Sequence, residues 1–207
     1  MEYKHLLTAL SIFTLPILLL WLRVIPYNLR KYVHYLSFGA ISLLALDFFP
    51  NLYSLGLRTD NLAASLIPYI KVTLILLILI IFLSRIYRTT GVKNPFKYMH
   101  FRYGFFLVSA AQELAYRGIL IPILLSTDMS FINVIIIDSV LFSFLHIIYP
   151  HPLRNIIYSF LAGIIYATLY IFYPNLILII ISHSIVNFTA LYFQLIGPKI
   201  TTKLSSQ

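Results

Sequence analysis

Cysteine is absent from the 207-residue sequence, and acidic residues number only six. Without cysteine the chain forms no disulfide and offers no thiolate to a metal ion. Charged residues make up 10% of the sequence and hydrophobic residues 60%, with a mean hydropathy of +0.91. So few polar residues cannot cover the surface of a soluble protein of this length, and we therefore predict an integral membrane protein.

Long apolar runs extend from one end of the sequence to the other. A helix needs about 20 apolar residues to cross a hydrocarbon core of ~30 Å. The runs are residues 6–22, 33–49, 65–83, 103–125, 131–149, 155–172 and 175–196. We therefore predict an all-α fold, a multi-pass transmembrane bundle of about seven spans. Residues 1–207 are expected to form a single integral membrane domain, with the front spans in 1–84 and a motif-bearing core in about 100–196.

The net charge of +9 is distributed unevenly once the seven runs are threaded alternately across a bilayer. One side receives most of the basic residues, and the other only Lys4 and Arg58. The rich side carries Arg23, Arg30, Lys31, Arg85, Arg88, Lys93, Lys97, Arg102, Arg154, Lys199 and Lys203. By the positive-inside rule we expect the N-terminus outside and the C-terminus in the cytoplasm. This explains the charge without a nucleic-acid partner.

Ionisable residues are concentrated in the last four runs, which contain Glu113, Arg117, Asp138, His146 and His183. A charge at the bilayer centre costs about 2.5–3.5 kcal/mol, so each of these residues requires a partner, a cavity or a function. Glu113 and Arg117 are four residues apart, and one interpretation is that they form a structural ion pair that holds the bundle together. For Asp138 we expect either an orienting contact with His146 or a hydrogen bond to a neighbouring helix.

Two further pairs have the same spacing of four, Phe142 with His146 and His183 with Asn187, which places each pair on one helix face. If the polar residues converge with Glu113, a carboxylate and a histidine can deprotonate water. The second histidine and the amide can then donate hydrogen bonds to the oxyanion that forms when water attacks a carbonyl. This chemistry indicates a peptide hydrolase, and no glycine-flanked serine elbow suggests another nucleophile.

The order Gln112-Glu113-x-x-x-Arg117-Gly118, Phe142-x-x-x-His146 and His183-x-x-x-Asn187 resembles the three motifs of the CAAX prenyl protease and bacteriocin-processing family. This family comprises the type II CAAX endopeptidases and their prokaryotic relatives, and the resemblance covers about residues 100–190. It implies a multi-pass protein of a prokaryotic cell membrane. Its expected partners are membrane lipids and a substrate that is a peptide or a lipidated or transmembrane protein.

The resemblance also implies roles for individual residues in a glutamate-type intramembrane endopeptidase. A motif-one carboxylate and His146 would activate water, while His183 and Asn187 would form the oxyanion site. Structural support would come from Arg117 and Phe142.

One position departs from the family pattern, which begins with two adjacent glutamates of which the first is taken as catalytic. Gln112 stands in that place, and an amide cannot accept the proton. Glu113 is then the base, or the chain is a catalytically impaired member acting as a membrane scaffold or immunity factor, or the substitution is an inactivating one. Successive helical residues are ~100° apart, and pairing with Arg117 opposes the action of Glu113 as a base. We therefore expect Gln112 to face the water site and Glu113 to support it, and both remain candidate catalytic positions.

Two other functions are open. Glu113, His146 and His183 form a possible two-histidine, one-carboxylate zinc set, although the helical His-Glu-x-x-His signature is absent. We expect no cofactor, with zinc as the alternative. A transporter is disfavoured because the two halves show neither an inverted repeat nor matched broken helices.

Overall fold

The computed structural model describes residues 2–48, 53–148 and 151–196, which are helical and contain no strand. The helices are α1 (Glu2–Trp21), α2 (Arg30–Phe48), α3 (Leu62–Ile86), α4 (Phe105–Glu113), α5 (Ile121–Leu125), α6 (Phe131–Phe144), α7 (Pro152–Phe172) and α8 (Leu176–Tyr192). A π-helical segment, Leu114–Leu120, joins α4 to α5 without a break. Each predicted run thus corresponds to one helical segment, and the prediction of an all-α bundle is confirmed.

Five helical segments of the described chain are long and apolar enough to cross a membrane. They are Lys4–Trp21, Leu62–Ile86, Phe101–Leu125, Phe131–Ile148 and Pro152–Phe172. The apolar parts of α2 and α8, Leu36–Phe48 and Leu176–Tyr192, are shorter. With 17 residues, α8 rises only about 25 Å, less than a hydrocarbon core of ~30 Å. The seven predicted runs therefore correspond to five helical segments of full spanning length and two shorter apolar helices.

Helix α3 shows the outer surface of the bundle most clearly. Its exposed side chains are Leu66, Ile67, Ile70, Leu74, Ile75, Ile78, Leu79, Ile81, Phe82 and Ile86. A contiguous apolar surface of this extent would be a liability in water and is the normal surface of a helix in lipid. The chain is an integral membrane protein.

The segment Phe101–Leu125 forms the centre of the bundle, and 61% of its most apolar stretch is buried. Ile119, Leu120, Ile123 and Leu124 have no exposed surface. Because α1, α2, α6 and α8 pack around this segment, a polar side chain on it is surrounded by protein rather than by lipid.

The π-helical turn lies in this central segment, directly after Glu113. The amide of Ile121 donates to the carbonyl of Tyr116, five residues earlier, and Pro122 follows. Proline has no amide hydrogen, and its ring collides with the carbonyl four residues earlier in a regular α-helix, so a wider turn here accommodates it. The π turn changes the direction in which the residues after Glu113 project.

Helices α6 and α7 approach each other closely at Gly163. A β-carbon placed on this glycine would lie 2.9 Å from Cα of Ser139, so only glycine permits the observed contact. Gly163 therefore sets the separation of α6 and α7.

The start of α8 is fixed by Asn175, which is fully buried. Its side-chain oxygen accepts a hydrogen bond from the amide of Leu178 at 3.0 Å, and its nitrogen donates to the carbonyl of Arg58 and to Asn61. This cap stabilises the first turn and ties α8 to the loop before α3. These bonds thereby fix the position of α8 along its own axis relative to that loop.

Candidate functional site

Glu113 and His183 meet in the interior of the bundle. Nδ1 of His183 lies 2.5 Å from Oε1 of Glu113. Glu113 is the last residue of α4, and His183 lies two turns into α8, the helix that packs along α4. Because an ionised carboxylate only accepts hydrogen bonds, Nδ1 of His183 is the donor and carries the hydrogen. Motifs one and three are therefore joined by a direct side-chain bond.

Arg117 lies on the other side of the Glu113 carboxylate and is itself fully buried. Its guanidinium nitrogens lie 3.4 Å and 3.5 Å from the two Glu113 oxygens. It also reaches Oδ2 of Asp138 at 3.6 Å and donates to the carbonyl of Gly163 at 3.3 Å. The ring of Phe142 lies 4.5 Å beneath the guanidinium carbon. The arginine is thus held between two carboxylates and an aromatic face.

Asn187 follows His183 by one turn of α8. Its side-chain nitrogen donates to Oγ of Ser109 at 3.1 Å, and Ser109 precedes Glu113 by one turn of α4. The two contacts form successive rungs between α4 and α8. The exposed fraction of His183 and of Asn187 is 9%, whereas Glu113 has no exposed surface. The slight exposure of this site therefore lies at His183 and Asn187 rather than at the carboxylate.

His146 lies where α6 gives way to a 3-10 turn, Leu145–Ile148. Its Nδ1 is 3.0 Å from the carbonyl oxygen of Phe142, and a carbonyl only accepts. Nδ1 is therefore the donor, and in the neutral ring the lone pair is on Nε2. The ring of Phe142 contacts His146 with centroids 5.3 Å apart and His183 with centroids 6.0 Å apart. Phe142 thus links the two histidines.

The two candidate positions of motif one have different environments. Glu113 is fully buried and bonded to His183, whereas Gln112 is half-buried and makes no side-chain hydrogen bond within the described residues. This contrast follows from the ~100° between successive helical residues. The residue that carries the carboxylate is the one shielded from water.

Residues 94–189 match the Rce1-like family, described as type II CAAX prenyl endopeptidase Rce1-like. The matched range contains all three motifs. This part of the chain is similar to an Rce1-like domain. No curated protein and no solved structure matches the chain. The Rce1-like domain begins in the loop before α4 and ends in α8, so helices α1–α3 precede it.

The potential metal ligands are dispersed among the described residues. In the described parts of the chain, no three histidine or acidic side chains lie together closely enough to hold a metal ion. Glu113 and His183 are adjacent, but His146 is separated from them by the Phe142 ring. Among the described residues, the zinc alternative therefore has no three-ligand set.

For Asp138 the sequence left open a contact with His146 or with a neighbouring helix, and the observed ionic contact is with Arg117. The sequence did not indicate Ser109 or Tyr166. Ser109 is the partner of Asn187. The ring of Tyr166 lies against His183 with centroids 5.3 Å apart. A sequence signal exists for Ser109, which stands four residues before Glu113 and shares its helix face.

Tyr166 is held by a chain of hydroxyl groups. Thr73 donates to the carbonyl of Tyr69, which leaves its oxygen to accept from Ser182, whose oxygen in turn accepts from Tyr166. Since each hydroxyl has one hydrogen, this order satisfies all of them. The chain ties α3, α7 and α8 together behind the His183 ring.

Proposed function

We propose that this protein is an intramembrane endopeptidase of the glutamate type, the activity that its Rce1-like domain implies. The observation that carries the proposal is the bond between the buried Glu113 carboxylate and Nδ1 of His183. Such a bond has a mechanistic use because a carboxylate behind a histidine fixes its tautomer and stabilises its positive charge.

His183 and Asn187 are the proposed oxyanion donors. With Nδ1 bonded to Glu113, the other ring nitrogen of His183 faces the substrate, and it donates to a substrate oxygen when the ring is doubly protonated, the charged form that a neighbouring carboxylate stabilises. Asn187 uses one amide hydrogen for Ser109 and has a second one for the same oxygen. Donors that are already oriented cost no reorganisation as the charge develops, which makes them effective at stabilising the transition state.

His146 is the proposed water-activating residue. In its neutral form, a ring that donates from Nδ1 to the Phe142 carbonyl carries its lone pair on Nε2, as a general base requires, and the side chain is half-buried. Nε2 takes a proton from water, and the resulting hydroxide attacks the carbonyl carbon of the scissile peptide. His183 and Asn187 donate to the oxyanion, and His146 then returns its proton to the departing amine.

Glu113 is the motif-one carboxylate in this scheme, and it acts through His183. A carboxylate with no exposed surface, bonded to a histidine and flanked by Arg117, is poorly placed to take a proton from water. A glutamate at the half-buried position of Gln112 would be better placed to share that task with His146. Conversion of Gln112 to glutamate should therefore raise the rate.

The proposed substrate is a peptide bond within or beside the bilayer, in a lipidated or transmembrane protein. The C-terminus is proposed to be cytoplasmic and the N-terminus external. His146 then lies at the cytoplasmic end of its span, where a substrate would enter from that side.

A second candidate function is a scaffold or immunity factor that has kept the domain without hydrolysis. The observation that favours it is the combination of an amide at position 112 with a Glu113 that is fully buried and bonded to His183. Loss of the base in a proton-transfer step typically costs 10²–10⁴-fold in rate, enough to abolish useful activity.

The deciding experiment measures cleavage of a panel of lipid-anchored and transmembrane peptides by the purified protein in detergent. The chain as given, Gln112→Glu, Glu113→Ala and His146→Ala are compared with and without a chelator. We expect cleavage by the given chain, a faster rate for Gln112→Glu, losses for Glu113→Ala and His146→Ala, and no effect of the chelator. Cleavage by Gln112→Glu alone would establish the non-hydrolysing candidate, and chelator sensitivity would support zinc.

A further inference from the structure

Asp138 is a second buried carboxylate that the proposed mechanism does not use. It lies two turns into α6 and is fully buried. Neither of its oxygens has a hydrogen-bond partner, and its one described ionic contact is with Arg117 at 3.6 Å. A carboxylate in the hydrocarbon core is costly, so its presence here requires a compensating charge.

Arg117 makes long contacts with both carboxylates. Its distances to Glu113 are 3.4 Å and 3.5 Å, and its distance to Asp138 is 3.6 Å. Charge-assisted bonds from arginine are normally about 2.7–2.9 Å, and with a single carboxylate they are often bidentate. The short contact of Glu113 is instead with His183. The guanidinium is therefore balanced between the two carboxylates.

We propose that Asp138 is a positioning residue that holds the Arg117 guanidinium back from Glu113 and so leaves the Glu113 carboxylate bonded to His183. The expected effect of Asp138 on catalysis rests on the proposed function, whereas its expected effect on the bond between Glu113 and His183 does not. Without the charge of Asp138, the guanidinium has one carboxylate left to neutralise it. It would then close on Glu113 and draw that carboxylate away from the His183 ring.

The first test observes the His183 bond directly. The full chain, labelled with nitrogen-15 at histidine, is studied by NMR in detergent micelles, and the Nδ1 proton of His183 is identified by its loss in His183→Ala. Asp138→Asn is compared with Ser139→Ala, a control that removes a buried polar atom from the next residue of α6. We expect the resonance to move upfield or to be lost in Asp138→Asn and to stay in place in Ser139→Ala. An unchanged resonance in a folded Asp138→Asn protein overturns the proposal.

The second test compares infrared spectra of the unmodified protein and Asp138→Asn, both labelled with carbon-13 at aspartate, at mildly alkaline pH. The proposal requires Asp138 to be ionised, so the difference spectrum should contain a carboxylate band and no protonated carboxyl band. A protonated band that is absent from Asp138→Asn would overturn the proposal, because a neutral side chain cannot balance Arg117.

The catalytic consequence is measured on the same proteins. Asp138→Asn should lower kcat by roughly 10- to 100-fold with little change in KM, because small displacements of positioned groups cost this much. The same substitution added to Arg117→Gln should have almost no further effect. Equal effects in both backgrounds contradict the proposal. If the unmodified chain cuts no peptide, the proposed function fails while the two spectroscopic tests still decide the role of Asp138.

Discussion

Substitution of Gly163 by alanine tests the packing that brings α6 and α7 together. The added β-carbon would lie 2.9 Å from Cα and 3.0 Å from Cβ of Ser139. A backbone atom cannot move aside as the end of a flexible side chain can, so the two helices must separate. That separation also displaces the Gly163 carbonyl, which accepts from Arg117 at 3.3 Å.

The magnitude follows from two opposing terms. Overpacking of a close contact costs about 1–3 kcal/mol, and replacement of glycine by alanine within a helix regains about 0.5–1 kcal/mol. We expect a net loss of about 1–2 kcal/mol, which corresponds to a fall in Tm of several degrees for a chain of this size. Activity should fall too, because Arg117 loses an acceptor.

The assay is thermal unfolding in detergent, with Gly39→Ala as the matched control. Gly39 is also inside a helix, but a β-carbon there meets nothing within 4 Å. The control should be as stable as the unmodified protein or slightly more stable. If Gly163→Ala unfolds at the same temperature as Gly39→Ala, the close approach of α6 and α7 is not what the geometry indicates.

Three further predictions concern the supports of the site. Asn175→Ala should destabilise the protein by about 1–2 kcal/mol, because it removes the cap of α8. The loss should be larger than that in Ser130→Ala, where the cap bond is exposed and 3.3 Å long. Chemical or thermal unfolding measures both losses. Ser182→Ala should lower Tm and kcat together, because it breaks the hydroxyl chain behind the His183 ring. The pKa of Asp60 is lowered to about 2, chiefly by its hydrogen bond from Arg58. An NMR titration should therefore show this exposed pair intact above pH 4 and lost as the pH falls through about 2, whereas an ordinary aspartate midpoint contradicts it.

The helical bundle and the motif residues were predictable because both depend on local patterns. Apolar runs of fixed length indicate helices whatever their neighbours, and spacings of four place His183 with Asn187 and Phe142 with His146 on common faces. The structure brings Glu113 and His183 into contact. The cap at Asn175, which fixes where α8 begins, contributes to this contact, and the spacing of the motifs does not contain it.

The rotation and partners of the helices were not predictable from these patterns. Whether Glu113 or Gln112 faces the interior depends on the packing of α4 against α8, and the pairing of Asp138 with Arg117 depends on the close approach that Gly163 allows. The π turn after Glu113 changes the direction in which Arg117 projects, and a prediction based on regular α-helical periodicity misses this change. Such features arise from contacts between residues far apart in the chain.

The most direct test of the central claim is mass spectrometry of a lipid-anchored peptide after incubation with the purified protein in oxygen-18 water. Hydrolysis by an activated water places one labelled oxygen in the new carboxyl terminus. We predict a labelled product from the unmodified chain and none from His146→Ala. No product from the unmodified chain, or equal labelled product from His146→Ala, would contradict the account of this site as a water-activating endopeptidase.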